Sequence, residues 1–345
     1  MEWLETLKKF YKGEKPFTYK YSNDEFKVFV SVLLSSRTKD KTTEKVCDKL
    51  FTIVNSFEDI NKLSIEELEK MIKPVGFYKI KAKNLKEASK IIVEKYNSKL
   101  PDNFQELLKL PGVGKKVASV IFNILGRDSK IAVDVHVHRI VNRLGIVNTN
   151  DPEETIKALE KTIPIEFWRD INKILVIHGQ RICFPKNPLC EDCPIKNYCK
   201  RYKDFRSFKN TLENYYFKEL KDLNLVKNKY GTYVLVIKLN KKKKIKYSKL
   251  NEKTFKKGYY IYVGSAKGFP ISLYKRIKRH LSTDKKKHWH IDHLLDYGKI
   301  EKIYYTNLFV ECLVAQELHK NGLNFVKGFG CTDCGCKSHL FFIDE

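Results

Sequence analysis

The chain has 345 residues, and its 67 Lys and Arg against 41 Asp and Glu give a formal charge of +26 at pH 7. This length predicts about two domains, and a hydrophobic fraction of 42% excludes a wholly disordered or collagen-like chain. No apolar run approaches the roughly 18 residues of a membrane span, and Met1–Phe10 lacks the apolar stretch of a secretory signal. We therefore expect an intracellular protein of the cytoplasm or nucleoid that has no membrane partner.

The positive charge is concentrated toward the C-terminus. From Arg206 onward the chain has 29 Lys and Arg against 13 Asp and Glu, and the residues before it have 38 against 28. Because phosphate contacts dominate nucleic-acid affinity, such a balance indicates a nucleic-acid partner. The alternative interpretation is a Lys-rich genome or the charged surface of a thermophile.

The first half of the chain carries apolar residues at helical spacing. One series runs from Ala82 to Tyr96, and another runs from Val113 to Leu125 before Gly126. Strand-like alternation is missing from this half. These patterns predict an all-α first domain.

The pattern changes after Cys199. Four segments predict strands and two predict helices: Gly231–Leu239, Gly258–Gly264, Ile300–Thr306 and Leu340–Ile343, then Ser272–Leu281 and Phe309–Lys320. The four lysines from Lys241 to Lys244 predict a solvated, mobile connection. This order is typical of an α+β domain, and we place the domain boundary at 208/209.

The segment Leu110–Ala118 reads LPGVGKKVA and lies between two predicted helices. Gly112 and Gly114 permit a tight turn and expose backbone N–H groups at a helix start, where an anion is favoured. A helix-hairpin-helix element grips a DNA phosphate in this way, although an ordinary helix–helix turn uses the same residues. Lys115 and Lys116 follow. A lysine here opposes the helix dipole, so Lys116 is either a surface lysine or a desolvated amine that forms a Schiff base with a sugar carbon.

Asp134 lies in the segment AVDVHVHR, directly before a predicted helix that ends at Gly145. Its simplest interpretation is an N-cap, because Asp is among the preferred residues at that position. Capping does not exclude a catalytic role for the same carboxylate.

Four cysteines form the strongest motif of the first half. Cys183, Cys190, Cys193 and Cys199 occur within one short segment, and four thiolates at such spacing can enclose an iron–sulfur cluster or a zinc ion. Structural zinc sites usually contain two close cysteine pairs, whereas this segment has one. Cys47 and Cys312 stand alone in helical patterns and are interpreted as ordinary buried thiols.

Residues 1 to about 205 resemble the endonuclease III family of DNA glycosylases. The resemblance rests on Leu33–Asp40 (LLSSRTKD), Val75–Lys79 (VGFYK), the hairpin with Lys116, Val133–His136 (VDVH) and the cysteine spacing. It implies an all-α fold with a [4Fe–4S] cluster, divided into a cluster subdomain (1–22 and 132–208) and a helical barrel (23–131). The implied partner is double-stranded DNA with damaged bases or abasic sites, and we expect a monomer.

The resemblance also implies a chemistry for the first domain. After the damaged nucleotide is flipped out, Lys116 attacks the anomeric carbon, the base leaves, and the imine permits β-elimination. Asp134 supports Lys116, and the substrates are oxidised pyrimidines. The residues placed against DNA are Gly112, Gly114, Lys115, Arg37, Phe77, His136 and Lys186.

Three of these positions carry alternatives. The family often has Gln where this chain has Arg37, a position that enters the gap left by the flipped base, which leaves the opposite-base preference open. Phe77 is either an apolar wedge or a core residue, and Lys186 meets phosphate or is simply solvated. For the whole chain the alternative is a monofunctional mismatch or damage glycosylase with a C-terminal DNA-binding module. Such a relative would lack the amine of Lys116.

The second domain, 209–345, resembles the GIY-YIG nuclease fold. Gly231-Thr232-Tyr233 and Tyr262-Val263-Gly264 lie on successive predicted strands, although Thr232 and Val263 depart from the usual motif. The resemblance implies a phosphodiester-cleaving site with Mg²⁺ on the carboxylate; its residues are Tyr233, Tyr262, Arg276, His280 and Glu311.

A second cysteine-rich segment follows near the C-terminus. Cys331, Cys334, Cys336 and His339 could bind Zn²⁺ together with His288 or His290. The same side chains could instead form a hydrogen-bonded lining for a phosphate cleft.

Overall fold

The structure is a computed structural model that describes residues 1–248, 251–268 and 270–344. The chain divides into two compact units, Met1–Asn142 with Ile146–Ile195 and Arg143–Gly145 with Lys196–Glu345. Among the described residues, no helix has the length and apolar character needed to cross a membrane.

The described residues before Lys196 form helices and no strand, which confirms the all-α prediction. The α-helices are α1 Glu2–Phe10, α2 Glu25–Ser35, α3 Asp40–Leu50, α4 Phe57–Lys62, α5 Ile65–Ile72, α6 Tyr78–Tyr96, α7 Phe104–Leu108, α8 Lys115–Ile124, α9 Val135–Leu144, α10 Pro152–Thr162 and α11 Trp168–Arg181. Two short 3₁₀ segments, Phe17–Tyr21 and Ile165–Phe167, lie between them.

Helices α2 to α8 surround one hydrophobic core that extends from Phe26 to Ala132. Helix α2 lies at its centre because it is apolar on nearly every side, and the side chains from Val28 to Leu34 are all buried. The N-terminal helix α1 packs elsewhere, against α11. Ion pairs from Lys8 to Asp170 at 3.0 Å and from Arg181 to Glu14 at 2.6 Å join these two ends of the unit.

The second unit is built on a six-stranded antiparallel sheet with the order β1-β6-β2-β5-β8-β7. Its strands and the separate β3–β4 hairpin are β1 Lys218–Glu219, β2 Gly231–Leu239, β3 Lys243–Lys246, β4 Glu252–Phe255, β5 Gly258–Ala266, β6 Lys299–Thr306, β7 Asn324–Phe325 and β8 Leu340–Asp344. The helices are α12 Lys200–Asn214, α13 Leu273–Leu281, α14 His290–Leu295 and α15 Glu311–Lys320, with 3₁₀ turns at Lys196–Tyr198 and Leu223–Val226. The α+β prediction is therefore confirmed.

Both faces of this sheet are covered. On β2, Tyr233, Leu235 and Ile237 face a core shared with α13 and α14, whereas Val234 and Val236 face a second core shared with α12 and α15. Alternate residues of a strand point to opposite faces, so a strand buried on both sides is apolar throughout.

Helix α12 belongs to the second of these cores. Its Phe208 and Leu212 are buried against the sheet, and Thr211 donates a hydrogen bond to Glu317 of α15 at 3.0 Å. The predicted boundary at 208/209 falls inside α12, whereas the compact units divide between Ile195 and Lys196. The amphipathic period of α12 shows that it is a helix but not which core it covers.

The lysine tract differs from its prediction. Lys243 and Lys244 are not part of a mobile connection but begin β3, which pairs with β4. The neighbouring Ile245 is buried while the lysines are exposed, and Lys244 forms an ion pair with Glu252 at 2.6 Å. The hairpin forms because one apolar side chain reaches the core while the lysines extend into solvent.

Candidate active site and DNA interface

The hairpin motif joins α7 to α8, as predicted. Gly112 has φ +78°, in the left-handed region that favours glycine, and a Cβ there would lie 2.9 Å from the Asn84 amide nitrogen. Gly114 is the N-cap of α8 and provides no side-chain cap. The first N–H groups of α8 therefore point away from the helix without a side-chain acceptor, which is the arrangement that binds a phosphate oxygen.

Lys116 and Asp134 line the same cleft, which has a volume of about 840 Å³. Lys116 lies in the first turn of α8 and is half-buried, whereas its neighbour Lys115 is exposed. The segment before Asp134 is held in place because Asn172 of α11 donates to the carbonyl of Ala132 at 3.2 Å. Two residues that are distant in sequence thus face one space from two helix starts.

Asp134 caps helix α9. Its Oδ1 accepts hydrogen bonds from the backbone N–H groups of His136 and Val137, both at 2.9 Å. Both bonds use the same oxygen, so capping and a role for the other oxygen, Oδ2, are compatible.

Arg37 and Phe77 form an exposed pair at the surface of the first unit. Both have backbones in the left-handed region, with φ values of 53° and 59°. The Arg37 guanidinium lies 5.4 Å from the centroid of the Phe77 ring, and the Phe77 side chain is 57% exposed. A non-glycine residue in this region stores strain that the surrounding structure must offset, and such strain in two adjacent exposed side chains is typical of a binding surface.

Lys81 holds the two strained loops together and was missed in the sequence analysis. Its ammonium group is buried and donates to the carbonyl oxygens of Leu34 and Ser36 and to Thr38 Oγ1. Thr38 Oγ1 also accepts from the backbone N–H of Gly76 at 3.1 Å. Burial lowers the pKa of Lys81 to about 8. One amine therefore fixes the loop before Arg37 to the loop before Phe77.

His136 and Lys186, the other predicted DNA contacts, lie in different environments. The Nδ1 atom of His136 lies 3.1 Å from Arg139 Nη2, and the same Arg139 nitrogen donates to the carbonyl of Cys183 at 2.8 Å. His136 lines the cleft, and burial lowers the pKa of its imidazole. Lys186 is exposed in the loop between Cys183 and Cys190, where a phosphate can reach it.

A buried histidine supports the cysteine-rich segment of the first unit. The Nε2 atom of His178 lies 3.6 Å from the sulfur of Cys193, and its Nδ1 lies 3.0 Å from the hydroxyl of Tyr11. Burial lowers the pKa of His178 to about 4, so the ring is neutral. If Nδ1 accepts from the Tyr11 hydroxyl, the proton of the neutral ring is on Nε2 and points at the sulfur of Cys193, an arrangement that orients and tunes a metal-bound cysteine.

The second unit contains a separate cavity of about 480 Å³ at one face of its sheet. Four of the five predicted side chains line it: Tyr233, Tyr262, Arg276 and Glu311. His280 does not line the cavity; it lies behind Tyr233, with its Nε2 atom 2.8 Å from the hydroxyl of that tyrosine.

Burial and charge define the protonation of this cavity. Burial lowers the pKa of His280 to about 3 and raises that of Tyr233 well above its usual value, so a neutral tyrosine donates to a neutral histidine. Glu311 Oε2 accepts from Ser265 and lies 3.7 Å from the ammonium group of Lys267. Arg276 lies over the Trp289 ring at 4.2 Å. The cavity thus combines two carboxylates, Glu311 and Asp333, with two cations, Lys267 and Arg276.

Three family models match parts of this chain. Residues 30–164 match the HhH-GPD superfamily of base excision DNA repair proteins, and residues 183–199 match the iron–sulfur binding domain of endonuclease III. Residues 232–345 match a domain of unknown function, DUF123.

Over 199 residues, the chain is 45% identical to Endonuclease III of Thermotoga maritima, in an alignment that covers 58% of this chain and 91% of that relative. The chain belongs to the endonuclease III family. A solved structure of a trapped endonuclease III–DNA covalent intermediate has a TM-score of 0.53 and 30% identity, over 59% of this chain and 95% of that one. A thermostable thymine-DNA glycosylase gives a TM-score of 0.52 and 28% identity, over 58% and 94% of the two chains.

Membership of the endonuclease III family confirms the iron–sulfur prediction. The matched iron–sulfur segment begins at Cys183 and ends at Cys199, so it contains all four predicted cysteines. A set of four thiols supported by a neutral histidine fits a [4Fe–4S] cluster. The likeness of residues 232–345 to GIY-YIG nucleases stays a prediction.

Proposed function

We infer that this endonuclease III family member is a bifunctional DNA glycosylase and AP lyase that excises oxidised pyrimidines in base excision repair. The observation that carries this proposal is the shared cleft of Lys116 and Asp134 beside the exposed N-terminus of α8. The helix start holds the DNA backbone without reading sequence. The cleft then receives the flipped nucleotide.

Lys116 supplies the nucleophile in this proposal. Its Nζ lone pair forms a bond to the sugar C1′ while the N-glycosidic bond breaks and the base leaves with those electrons. Loss of a proton from Nζ and ring opening give the imine, and removal of a C2′ proton then expels the 3′ phosphate. Asp134 balances the positive charge that develops on the sugar. The [4Fe–4S] cluster, held by the four cysteines, takes no part in these steps.

Arg37 and Phe77 support a role in opening the duplex. The exposed ring and guanidinium are held ready by the strained loops, so little ordering is needed on contact with DNA. A wedge that fills the space left by the flipped base offsets the cost of unstacking. Since Arg37 offers only donors, we propose that it bonds the acceptor atoms of the orphaned base.

The lysine separates this proposal from a monofunctional glycosylase. A solved thymine-DNA glycosylase has a similar fold, so the fold alone does not decide between the two kinds of glycosylase. Lys116 lies half-buried in the cleft rather than on the open surface. Its position favours the bifunctional chemistry.

Replacing Asp134 by Asn tests the second catalytic group. The amide can keep the two capping bonds through its oxygen, so α9 should stay folded, but it cannot balance positive charge. We expect Asp134→Asn to bind lesion DNA at near-normal affinity and to turn over at least ~100-fold more slowly. Single-turnover cleavage of duplexes with an oxidised pyrimidine or an abasic site measures this. Normal turnover would leave Asp134 as a cap alone.

For the second unit we propose a DNA phosphodiester site with the GIY-YIG type of chemistry. Arg276 and Lys267 would face the phosphate, Glu311 Oε2 would hold Mg²⁺, and the Tyr233–His280 pair would relay a proton. What supports this is that the cavity brings these side chains together from β2, the end of β5, α13 and α15.

A full-length Lys116→Gln chain provides a background without lyase nicking for this test. We expect it to nick duplex, abasic or branched DNA when Mg²⁺ is added, and Glu311→Ala in the same background to abolish that nicking. Gel analysis of end-labelled DNA measures both. If no substrate is cut and Glu311→Ala binds DNA more tightly, the cavity binds DNA without cleaving it.

A further inference from the structure

Three cysteines and one histidine of the second unit converge on one point. Cys312 lies in the first turn of α15, Cys334 and Cys336 lie in the loop 326–339, and His339 directly precedes β8. Their ligand atoms all lie within 4.8 Å of one another, and the His339 Nε2 atom is 3.5 Å from the sulfur of Cys334. The three sulfurs and one ring nitrogen therefore surround a common centre.

The grouping differs from the ligand set that the sequence indicates. The sequence pattern predicts a lone buried thiol at Cys312, but Cys312 belongs to this group, whereas Cys331 does not. His290 is also directed elsewhere, since its Nδ1 accepts from the backbone N–H of Gly330 at 3.2 Å. Tertiary folding brings α15 next to the loop 326–339, and the spacing of residues in the sequence does not predict this contact.

The second nitrogen of His339 faces a carboxylate. Its Nδ1 atom lies 3.4 Å from Glu311 Oε1, and the ring is 2% exposed. A metal-bound histidine almost always presents its other ring nitrogen to a carboxylate or carbonyl, which fixes the tautomer and strengthens the ligand. His339 thus has one ring nitrogen beside a cysteine sulfur and the other beside a carboxylate, as a metal-bound histidine does.

We propose that Cys312, Cys334, Cys336 and His339 form a structural zinc site. Three cysteines and one histidine are an established ligand set for closed tetrahedral Zn²⁺, and soft sulfur with imidazole excludes the hard cations Mg²⁺ and Ca²⁺. All four positions are protein ligands, so no position is open for substrate. The site is distinct from the iron–sulfur cysteines, which lie in the segment 183–199.

The ion would order the loop 326–339. This long segment between β7 and β8 has no helix or strand, yet it contributes Gly330, Thr332 and Asp333 to the wall of the second cavity. Zinc would tie it to α15 and, through His339, would set the position of Glu311. The proposed zinc site would therefore stabilise the loop and the glutamate that line the cavity, independently of the chemistry that the cavity performs.

Metal analysis and X-ray absorption of the full-length protein test the proposal. Protein purified anaerobically without chelators should contain about one zinc beside about four irons per chain. The zinc K-edge spectrum is unaffected by the cluster, and it should show three sulfurs at about 2.3 Å and one nitrogen at about 2.0–2.1 Å.

Cysteine variants distinguish the structural ligand set from the one the sequence indicated. Cys312→Ser and Cys336→Ser should each retain less than about a tenth of the zinc, with the iron content unchanged. Cys331→Ser is the matched control, because it alters the same loop outside the group, and should keep full zinc.

Any of three results would overturn the proposal. The zinc site does not exist if wild-type protein contains full iron but no zinc. The same holds if non-reducing mass spectrometry shows a disulfide among these cysteines. Zinc that follows Cys331 instead of Cys312 would contradict the ligand set. The zinc content and the spectrum of wild type decide whether the site exists, so misfolding of a variant alone cannot overturn it.

Discussion

Lys116→Gln should abolish the covalent crosslink that borohydride forms between the protein and lesion DNA, while DNA affinity changes only a few-fold. Only an imine is reduced to a stable amine, and glutamine has no nucleophilic amine to form one. Affinity should persist because the hairpin grips phosphate through backbone N–H groups at the start of α8, which the substitution leaves in place. Denaturing gels of trapped complexes and a binding titration on the same duplex measure the two quantities.

The neighbouring lysine provides the matched comparison. Lys115 lies in the same helical turn but is exposed, so Lys115→Gln should keep full crosslinking and show a weaker, less salt-sensitive affinity. The two variants should therefore have opposite phenotypes. If Lys116→Gln forms the crosslink as wild type does, or if Lys115→Gln loses it, the assignment of Lys116 as the nucleophile is wrong.

Lys81→Met should destabilise the first unit by about 3 kcal/mol, because the carbonyl oxygens of Leu34 and Ser36 and the Thr38 hydroxyl lose one buried charged donor. Methionine keeps the length and apolar contacts of the side chain but donates nothing. The midpoint of urea unfolding, followed by helical circular dichroism, measures this. Lys83→Met is the control: that side chain is 67% exposed on the same helix, and its loss should change stability by less than about 0.5 kcal/mol.

Activity separates positioning by Lys81 from stability alone. If the lysine sets the Arg37 and Phe77 loops, Lys81→Met should slow excision of a stacked damaged base more than cleavage at a preformed abasic site, which needs little unstacking. A merely smaller folded fraction would reduce both rates equally. Equal losses on the two substrates would therefore limit Lys81 to a structural role.

Local sequence patterns predict most of the helices and the helix cap at Asp134 in the first unit. The helical spacing from Ala82 to Tyr96 and the cap at Asp134 depend on residues a few positions apart, so both follow from sequence alone. Lys81 shows where this stops. Lys81 lies four residues before Leu85 on the same buried face of α6, so the sequence alone shows a lysine at a core position. Its three hydrogen-bond acceptors, however, lie at and just after the end of α2.

The second unit shows the same limit more clearly. Its strands follow from their β-branched and aromatic residues. The tract with Lys243 and Lys244 nevertheless predicts a mobile connection rather than a strand, because the burial of Ile245 depends on the folded sheet. Cys312 lacks any nearby partner in sequence, and only the packing of α15 brings it to Cys336. The spacing of charges or cysteines indicates only which residues are close in sequence. The burial of Ile245 and the proximity of Cys312 to Cys336 depend on residues that are close in space but distant in sequence.

The start of α12 limits how this protein can be divided into fragments. The matched iron–sulfur segment ends at Cys199 and α12 begins at Lys200, so a single peptide bond joins that segment to a helix that covers the six-stranded sheet. A fragment that starts at residue 209 lacks the buried Phe208 and the first half of α12. A fragment that starts before Lys200 includes Cys199, so the remaining N-terminal fragment lacks the last cysteine of the matched iron–sulfur segment. No spare residue lies between the matched iron–sulfur segment and α12 at which the chain could be cut.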